Sequence, residues 1–578
     1  MSALTLAMHA TQVPAMVLLA VLMILVACFV AQPKPLEGIP YNKTASRRIL
    51  GDLPDIRRHI HLHGDRRSWV WSQPRKHGSP ISQAFLFPFR RPTVIISDYR
   101  TAIDICSRRL DEFDRGTRNG ECVGLIAPNF HFTMNSSDPR FNRQRHMLNG
   151  LMSPWFMKQV AARHLYESAM LLVRLWKRKQ SKGQPFSARR DLYITTLDMI
   201  SSVAFGMDNA SGGLARELAH LENVDHPDQS ERGPAQFRQA PSDPRTEALL
   251  DMSKMISIAQ GSPFPRLAQW LALLCSPTHL YAYWCRRSLW KHQTAMSIHH
   301  ITSESEKPTV KSALDLLLLR EKTAAERIGR NPDYYSPAIR DEVLGYVLAG
   351  HDTTATVLAW FVKYMAQHQS IQARLRQSLR DGHSTACAEG RSPTMSEIMS
   401  KQIPYLEANI EETLRRSSVA TLIVRKATRN TQILGYSIPK GTDVIIPLTG
   451  PSLTEPALNI PDTNRPTVDR RTETRVKPWP DDDIMKYNPD RWMKLKTDNA
   501  GEETAVFDPQ AGPNLAFSVG PRQCFGKKQA RLQLQTVATL LLWEFTFEAL
   551  EKSLNTWEIE ERLVNLPKQC FVKLASAS

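Results

Sequence analysis

The chain predicts a mainly α-helical fold with small β-sheets, preceded by one N-terminal transmembrane helix. Three patterns carry that expectation. Residues 13–31 are almost wholly apolar, and no Lys, Arg, Asp or Glu occurs from Met1 to Pro33, close to the roughly 20 residues that span a bilayer. Short runs rich in β-branched residues, bounded by Pro and Gly, mark strands within 81–97 and 422–446. Beyond Pro139, apolar residues recur at helical spacing through most of the following chain, as in the stripe Val160, Leu165, Leu172 and Leu175.

Taken in order, the N-terminal segment reads as an anchor rather than a cleaved leader, because it lacks a positive n-region and a clean small-x-small cleavage site. Lys34, Lys43, Arg47, Arg48, Arg57 and Arg58 follow on one side only, so the positive-inside rule leaves the body in the cytosol. Pro33, Pro35, Gly38 and Pro40 predict a semi-rigid connector, since proline fixes φ and cannot continue a helix. The expected division is an anchor at 1–33, a connector at 34–52 and one large body at 53–578. Residues 81–88 and 92–97 read as a hairpin, and Asp98 caps a helix carrying Ile103, Cys106 and Leu110. Residues 115–138 form a polar, Gly-containing loop. Residues 422–427, 431–434 and 443–446 suggest a second short sheet. Two polar insertions, 223–245 and 450–477, carry no legible motif, and no internal repeat is visible.

Lys and Arg number 74 against 57 Asp and Glu, a net charge of +17 that suits nucleic acid, an anionic membrane or an acidic protein. With no zinc-finger spacing and no RNP-like aromatic motif, nucleic acid is not an expected partner. The eight cysteines (28, 106, 122, 275, 285, 387, 524 and 570) are scattered without a C-x-x-C pair, the pattern of a reduced compartment.

The chemistry concentrates in Phe517-Ser-Val-Gly520-Pro-Arg522-Gln-Cys524-Phe-Gly526. A thiolate is a soft ligand that suits an iron centre, which makes Cys524 the candidate metal ligand. Gly520 and Gly526 permit a tight bulge and close backbone approach, Phe517 is placed to shield the sulfur, and Arg522 to neutralise a carboxylate.

This F-x-x-G-x-R-x-C-x-G pattern resembles the haem-binding signature of the cytochrome P450 superfamily, and further elements follow in that family's order. Ala349-Gly350-His351-Asp352-Thr353-Thr354 resembles its oxygen-binding helix, where Gly350 would permit close approach to O2 and the Thr353 hydroxyl can divert a backbone hydrogen bond and open a kink. Glu412-Thr-Leu-Arg415 matches its E-x-x-R, and Tyr487-Asn-Pro-Asp490-Arg491-Trp492 resembles the segment whose arginine joins that pair in a buried triad. Arg145 and Arg425 resemble its haem-propionate partners, but Phe141 stands where the family usually has Trp, so an indole hydrogen bond to a propionate would be missing. The stretch Gly38-Ile-Pro-Tyr-Asn is similar to post-anchor segments of filamentous-fungal microsomal members.

The resemblance implies a cytochrome P450 haem domain at 53–578 that binds haem b (iron protoporphyrin IX). Cys524 would be the axial ligand, with Arg145, Arg425, Phe517, Gly520, Arg522 and Gly526 around the cofactor and Asp352 with Thr353 delivering protons. The structural triad would be Glu412, Arg415 and Arg491. The implied activity is a monooxygenase that hydroxylates or otherwise oxidises an apolar small molecule with O2, in secondary-metabolite biosynthesis. No G-x-G-x-x-G fingerprint occurs, so electrons are expected from NADPH through a separate flavoprotein, NADPH-cytochrome P450 reductase, for which Lys527, Lys528 and Arg531 offer a basic face. The implied location is the endoplasmic reticulum membrane, single-pass, with the catalytic domain cytosolic. Two other readings stay open: isomerisation, dehydration or peroxide chemistry on the same haem fold, and a non-catalytic haem-binding membrane protein.

Overall fold

The computed structural model describes residues 32–223, 233–241, 243–302, 309–460, 476–497 and 501–577. The expected anchor lies outside these, and among the described residues no helix is long and apolar enough to cross a membrane. The longer helices are α1 (Leu53–His63), α2 (Arg67–His77), α3 (Tyr99–Ser107), α4 (Thr117–Val123), α5 (Pro139–Leu148), α6 (Ala162–Gln180), α7 (Arg189–Phe205), α8 (Gly213–Asn223), α9 (Pro244–Gly261), α10 (Pro265–Cys275), α11 (Pro277–Thr302), α12 (Ala313–Arg327), α13 (Pro337–Gln367), α14 (Gln369–Gly382), α15 (Pro404–Ser417) and α16 (Lys527–Glu544). The principal sheet comprises β1 (Ile81–Ala84), β2 (Thr93–Ile96), β3 (Phe113–Asp114), β4 (Leu422–Ala427) and β5 (Asp443–Pro447).

Local chemistry sets many of these boundaries. Asp98 caps α3, its side chain accepting from the Thr101 N–H at 2.7 Å, the standard remedy for an unpaired first-turn donor. Proline opens α5, α13 and α15 within the first two positions, where a missing N–H costs nothing. Helix α13 has 31 residues, about 46 Å at 1.5 Å per residue. It is apolar on nearly every side, the mark of a helix surrounded by protein. It packs chiefly on α7, with α15 and α16 also against it, so most of the core meets along it.

The strand order is β1-β2-β5-β4-β3. The first two strands form the predicted antiparallel hairpin, with Ile81 opposite Ile96. The predicted second sheet is not separate: β5 pairs parallel with β2, Val94 against Val444, and β4 pairs antiparallel with β5. Only 431–433 and 436–438 stand apart, as a hairpin. Parallel strands need a long crossover, and here the whole helical body between β2 and β5 supplies it. Both faces are covered, Val94 and Ile96 packing with Ile105 and Phe113 on one side, and Ala84 and Ile95 with Trp69 and Val70 on the other.

The stretch expected as a connector is docked on this sheet. Ile39 is buried in its core, the Gln83 amide bonds the Leu36 and Ile39 carbonyls at 2.8 and 2.7 Å, and Asn42 reaches Asp52 at 2.7 Å. Proline limits the flexibility of this segment, but packing decides where it lies.

Candidate active site: a thiol and four arginines around one cavity

A cavity of about 410 Å³ lies between α13, the loop before α16, the end of α15 with β4, and residues 130–132. Cys524 lines it. The Cys524 amide donates to the Phe517 carbonyl at 2.8 Å, closing the loop, and α16 begins three residues later at Lys527. Cys524 is exposed, yet its open side is the cavity, with protein packed around the rest. Burial therefore pushes the thiol up, while the Gly526 backbone, Arg145 and Lys527 favour the thiolate.

Of the two signature glycines, Gly520 provides the expected close backbone approach and Gly526 does different work. Gly520 has φ +73, and a Cβ there would meet the Cys106 carbonyl at 2.3 Å, so this glycine lets the loop sit against the end of α3. Gly526 has φ −80, and a Cβ there would meet nothing within 4 Å. It lines the cavity, so its missing side chain leaves open space beside Cys524. Phe517 also lines the cavity, with the Lys527 Nζ 5.7 Å from its ring.

Four arginines gather here: Arg115, Arg145, Arg425 and Arg522. Arg522 is already committed, with Nε donating to Ser136 Oγ at 2.7 Å, Nη2 to the Met134 carbonyl and Asp114 at 3.8 Å. It ties the Cys loop to residues 131–136 while still lining the cavity. Arg425 is buried with Nη2 unpartnered, and Arg115 keeps an unpartnered Nε. Burial, with repulsion from Arg522, Arg425 and Arg145, drives the Arg115 guanidinium well below its usual range, opposed by Asp114. Arg145 lies over the rings of Phe141 and Phe525 at 6.0 and 5.3 Å. An apolar chamber with one thiol, a surplus of guanidinium charge and orphaned N–H groups fits a flat apolar group bearing carboxylates, and haem is such a group.

Helix α13 supplies one wall through Gly345, Ala349, Gly350, Thr353, Thr354 and Val357. Thr353 Oγ1 donates to the Ala349 carbonyl at 2.8 Å, and the helix runs unbroken through this point rather than opening. Gly350 is required by the neighbouring helix, since a Cβ would meet Ile200 of α7 at 2.6 Å. Asp352 does not line the cavity. It is buried with Oδ1 unpartnered, and burial pushes it up to about 7, with Arg562 and Arg189 opposing. The two residues predicted as a pair thus face different surroundings.

Glu412, Arg415 and Arg491 meet at the far end of α15. Arg415 grips Glu412 through Nη2 and Nε, at 2.8 and 2.9 Å, and Arg491 Nε reaches Glu412 at 3.2 Å. All three side chains are almost fully buried. Trp492 adds an indole donor to Glu412 at 2.9 Å, a contact the commoner Phe could not make. Of the basic trio, Arg531 is taken by Glu407 at 3.0 Å and by Glu411, whereas Lys527 and Lys528 are exposed.

Sequence reasoning missed Arg115 and His131. Both lie in residues 115–138, read as a polar, Gly-containing loop, and the one available signal was the presence of an arginine and a histidine there. A larger, open cleft of about 850 Å³ lies on the outer side of residues 128–138, lined by Arg90, Glu121, Arg140 and Arg266 among others. It holds no thiol and none of the motif residues, so the chemistry belongs to the smaller cavity.

The cytochrome P450 family profile matches residues 75–455 and 478–574. The chain is 34% identical over 570 residues to the cytochrome P450 monooxygenase TRI13 of Fusarium sporotrichioides, covering 94% of this chain and 96% of that protein. It is 33% identical over 570 residues to the cytochrome P450 monooxygenase GME11363 of Pestalotiopsis microspora, covering 98% of each. Its fold matches the crystal structure of a cytochrome P450, CYP102L1, with TM-score 0.66 at 17% identity, over 94% of this chain and 100% of that one. A thiol loop in a guanidinium-rich apolar cavity, set in this fold and in a chain so similar to two fungal monooxygenases, places the protein in the cytochrome P450 family as a monooxygenase.

Proposed function

We propose that the protein hydroxylates or otherwise oxidises an apolar small molecule with O2, using haem b held at Cys524 and electrons that NADPH supplies through a separate flavoprotein reductase. The observation that carries this reading is that Cys524, the under-neutralised arginines and Thr353 line one cavity. The remaining wall is largely apolar, with Phe130, Leu148, Ile200, Val357, Leu422 and Leu448, which favours a substrate held by burial instead of by charge.

When bound, the haem iron supplies the activation of O2. Cys524 would ligate it, and Arg115, Arg145 and Arg425 would pair with its carboxylates. The Thr353 hydroxyl, now satisfied by the Ala349 carbonyl, is a donor that can turn toward a ligand in the cavity. Asp352, at about 7, exchanges a proton readily near neutral pH, from the side of Arg189 and Arg562. The apolar wall keeps bulk water from the reacting atoms. Lys527 and Lys528 remain available to an acidic reductase. The fungal relatives support a place in fungal secondary metabolism, and the apolar, uncharged residues 1–33 support a single-pass anchor in the endoplasmic reticulum with the body at 53–578 cytosolic.

The test is expression with a fungal NADPH-cytochrome P450 reductase. The reduced carbonyl complex should show the red-shifted Soret band of a thiolate-ligated haem, and Cys524→Ser should abolish it. Comparative metabolite profiles of a deletion strain should then reveal an accumulated precursor that the purified pair oxidises with O2 and NADPH. A carbonyl complex without that band, or turnover independent of O2, overturns the reading.

A further inference from the structure

We propose that His131 donates a hydrogen bond to a carboxylate of the bound haem, and that Glu342 holds it in place for this. The inference rests on the haem reading above. Glu342, on the first turns of α13, is fully buried. It grips His131 twice, Oε1 accepting the backbone N–H at 2.7 Å and Oε2 facing ring Nδ1 at 2.7 Å. A carboxylate on Nδ1 fixes the hydrogen there and leaves Nε2 as the free nitrogen. Nε2 has no hydrogen-bond partner among the described residues, and His131 lines the cavity.

The surroundings of the ring place it at the arginine end. It packs edge-on to Phe130 at 4.8 Å and lies 6.2 Å from both Phe141 and Phe525. Its carbonyl receives Arg522 Nη1 at 3.4 Å. Phe130 itself fits only because position 345 is glycine, where a Cβ would meet that ring at 2.5 Å. The neighbouring Asn129 is pinned to Asp341 through its N–H and Nδ2 at 2.8 and 2.9 Å, so the backbone beside His131 is held as firmly as its ring.

Phe141 makes the assignment specific to this chain. Its ring carries no donor and lies 3.7 Å beneath the Arg522 guanidinium, so it offers the cofactor no N–H. His131, its ring centre 6.2 Å from that ring, carries in Nε2 a side-chain nitrogen that is spent neither on protein among the described residues nor within a guanidinium. With Glu342 on Nδ1, Nε2 is the ring nitrogen left to donate to a cofactor carboxylate, the arrangement the proposal requires.

The experiment uses the full-length holoprotein, with haem transfer to excess apomyoglobin and the resonance Raman propionate-bending band as readouts. His131→Phe and Glu342→Gln should lose haem about tenfold faster, and the propionate band should shift in both. Adding Phe141→Trp to His131→Phe should return both readouts toward the parent, because the indole N–H resupplies the donor. Glu342→Gln keeps the shape of the buried anchor, so it reads the proposal even where His131→Phe folds poorly. Unchanged haem loss in Glu342→Gln, or faster loss with an unmoved propionate band, overturns the proposal. Failure of the haem reading looks different: the parent itself would lack the thiolate-type carbonyl band.

Discussion

Glu412 accepts hydrogen bonds from Arg415, Arg491, Trp492 and the Asn488 amide, so its removal leaves the Arg415 guanidinium buried without a counter-charge, while Arg491 keeps Asp483 at 2.7 Å. Breaking a buried pair costs about 3–5 kcal/mol. Glu412→Ala should therefore cut the yield of folded, haem-loaded protein to a small fraction, measured by haem absorbance per unit protein; a normal ratio would show that the other contacts of Arg415 suffice. Asp352 presents the opposite problem, a carboxyl with too few partners. Its folded value of about 7 stands above the ordinary 3.8, so the folded state keeps a proton that the unfolded chain releases. The associated stability is fully present below about pH 4 and is lost as pH rises through 7. At 1.36 kcal/mol per unit the loss is at most about 4 kcal/mol. Asp352→Asn should flatten the fall in melting temperature between pH 4 and 8, and an unchanged slope in a pH series of thermal melts would count against the raised value.

At the scale of elements, α13 and α7 pack tightly where Gly350 meets Ile200, with no room for a Cβ. Gly350→Ala should cost about 1–3 kcal/mol through overpacking, with Ile200→Ala in the same chain relieving much of it, as read by paired thermal melts. Additive losses would place the strain elsewhere. The Cys loop is a different case, because the obstacle at Gly520 is the backbone carbonyl of Cys106, which cannot rotate away. The loop thus depends on α3, more than four hundred residues earlier in the chain, for the surface that shapes it.

For the whole molecule, the docked segment from Leu36 to Asp52 decides where the chain can be shortened. Removing residues 1–31 should release much of the protein from membranes while sparing the carbonyl spectrum. Removing 1–52 takes away Ile39 and the Asn42–Asp52 contact, and should lower the melting temperature by several degrees on the scale of about 2–4 kcal/mol for a buried apolar side chain and its hydrogen bond. Sedimentation after carbonate washing and melts of the two truncations give both answers. Equal stability of the two would mean that the segment only rests on the sheet.

By itself, the sequence determined the elements whose cause is local or whose residues sit close together: the hairpin of Ile81 and Ile96, the Asp98 cap, the long apolar helix around Gly350, and the loop presenting Cys524. Periodicity, capping and motif spacing depend on neighbours within a few residues, so they survive in one dimension. Tertiary structure alone decided that residues 422–427 and 443–447 join the first sheet, that Arg522 bonds Asp114 and Ser136, and that Asp352 and Thr353, adjacent in the chain, face different surroundings. It also brought Arg115 and His131 into the cavity and set His131 on Glu342, more than two hundred residues away. Such outcomes rest on which distant groups remain unpaired once the core has formed, a property of the packed chain that no local spacing encodes.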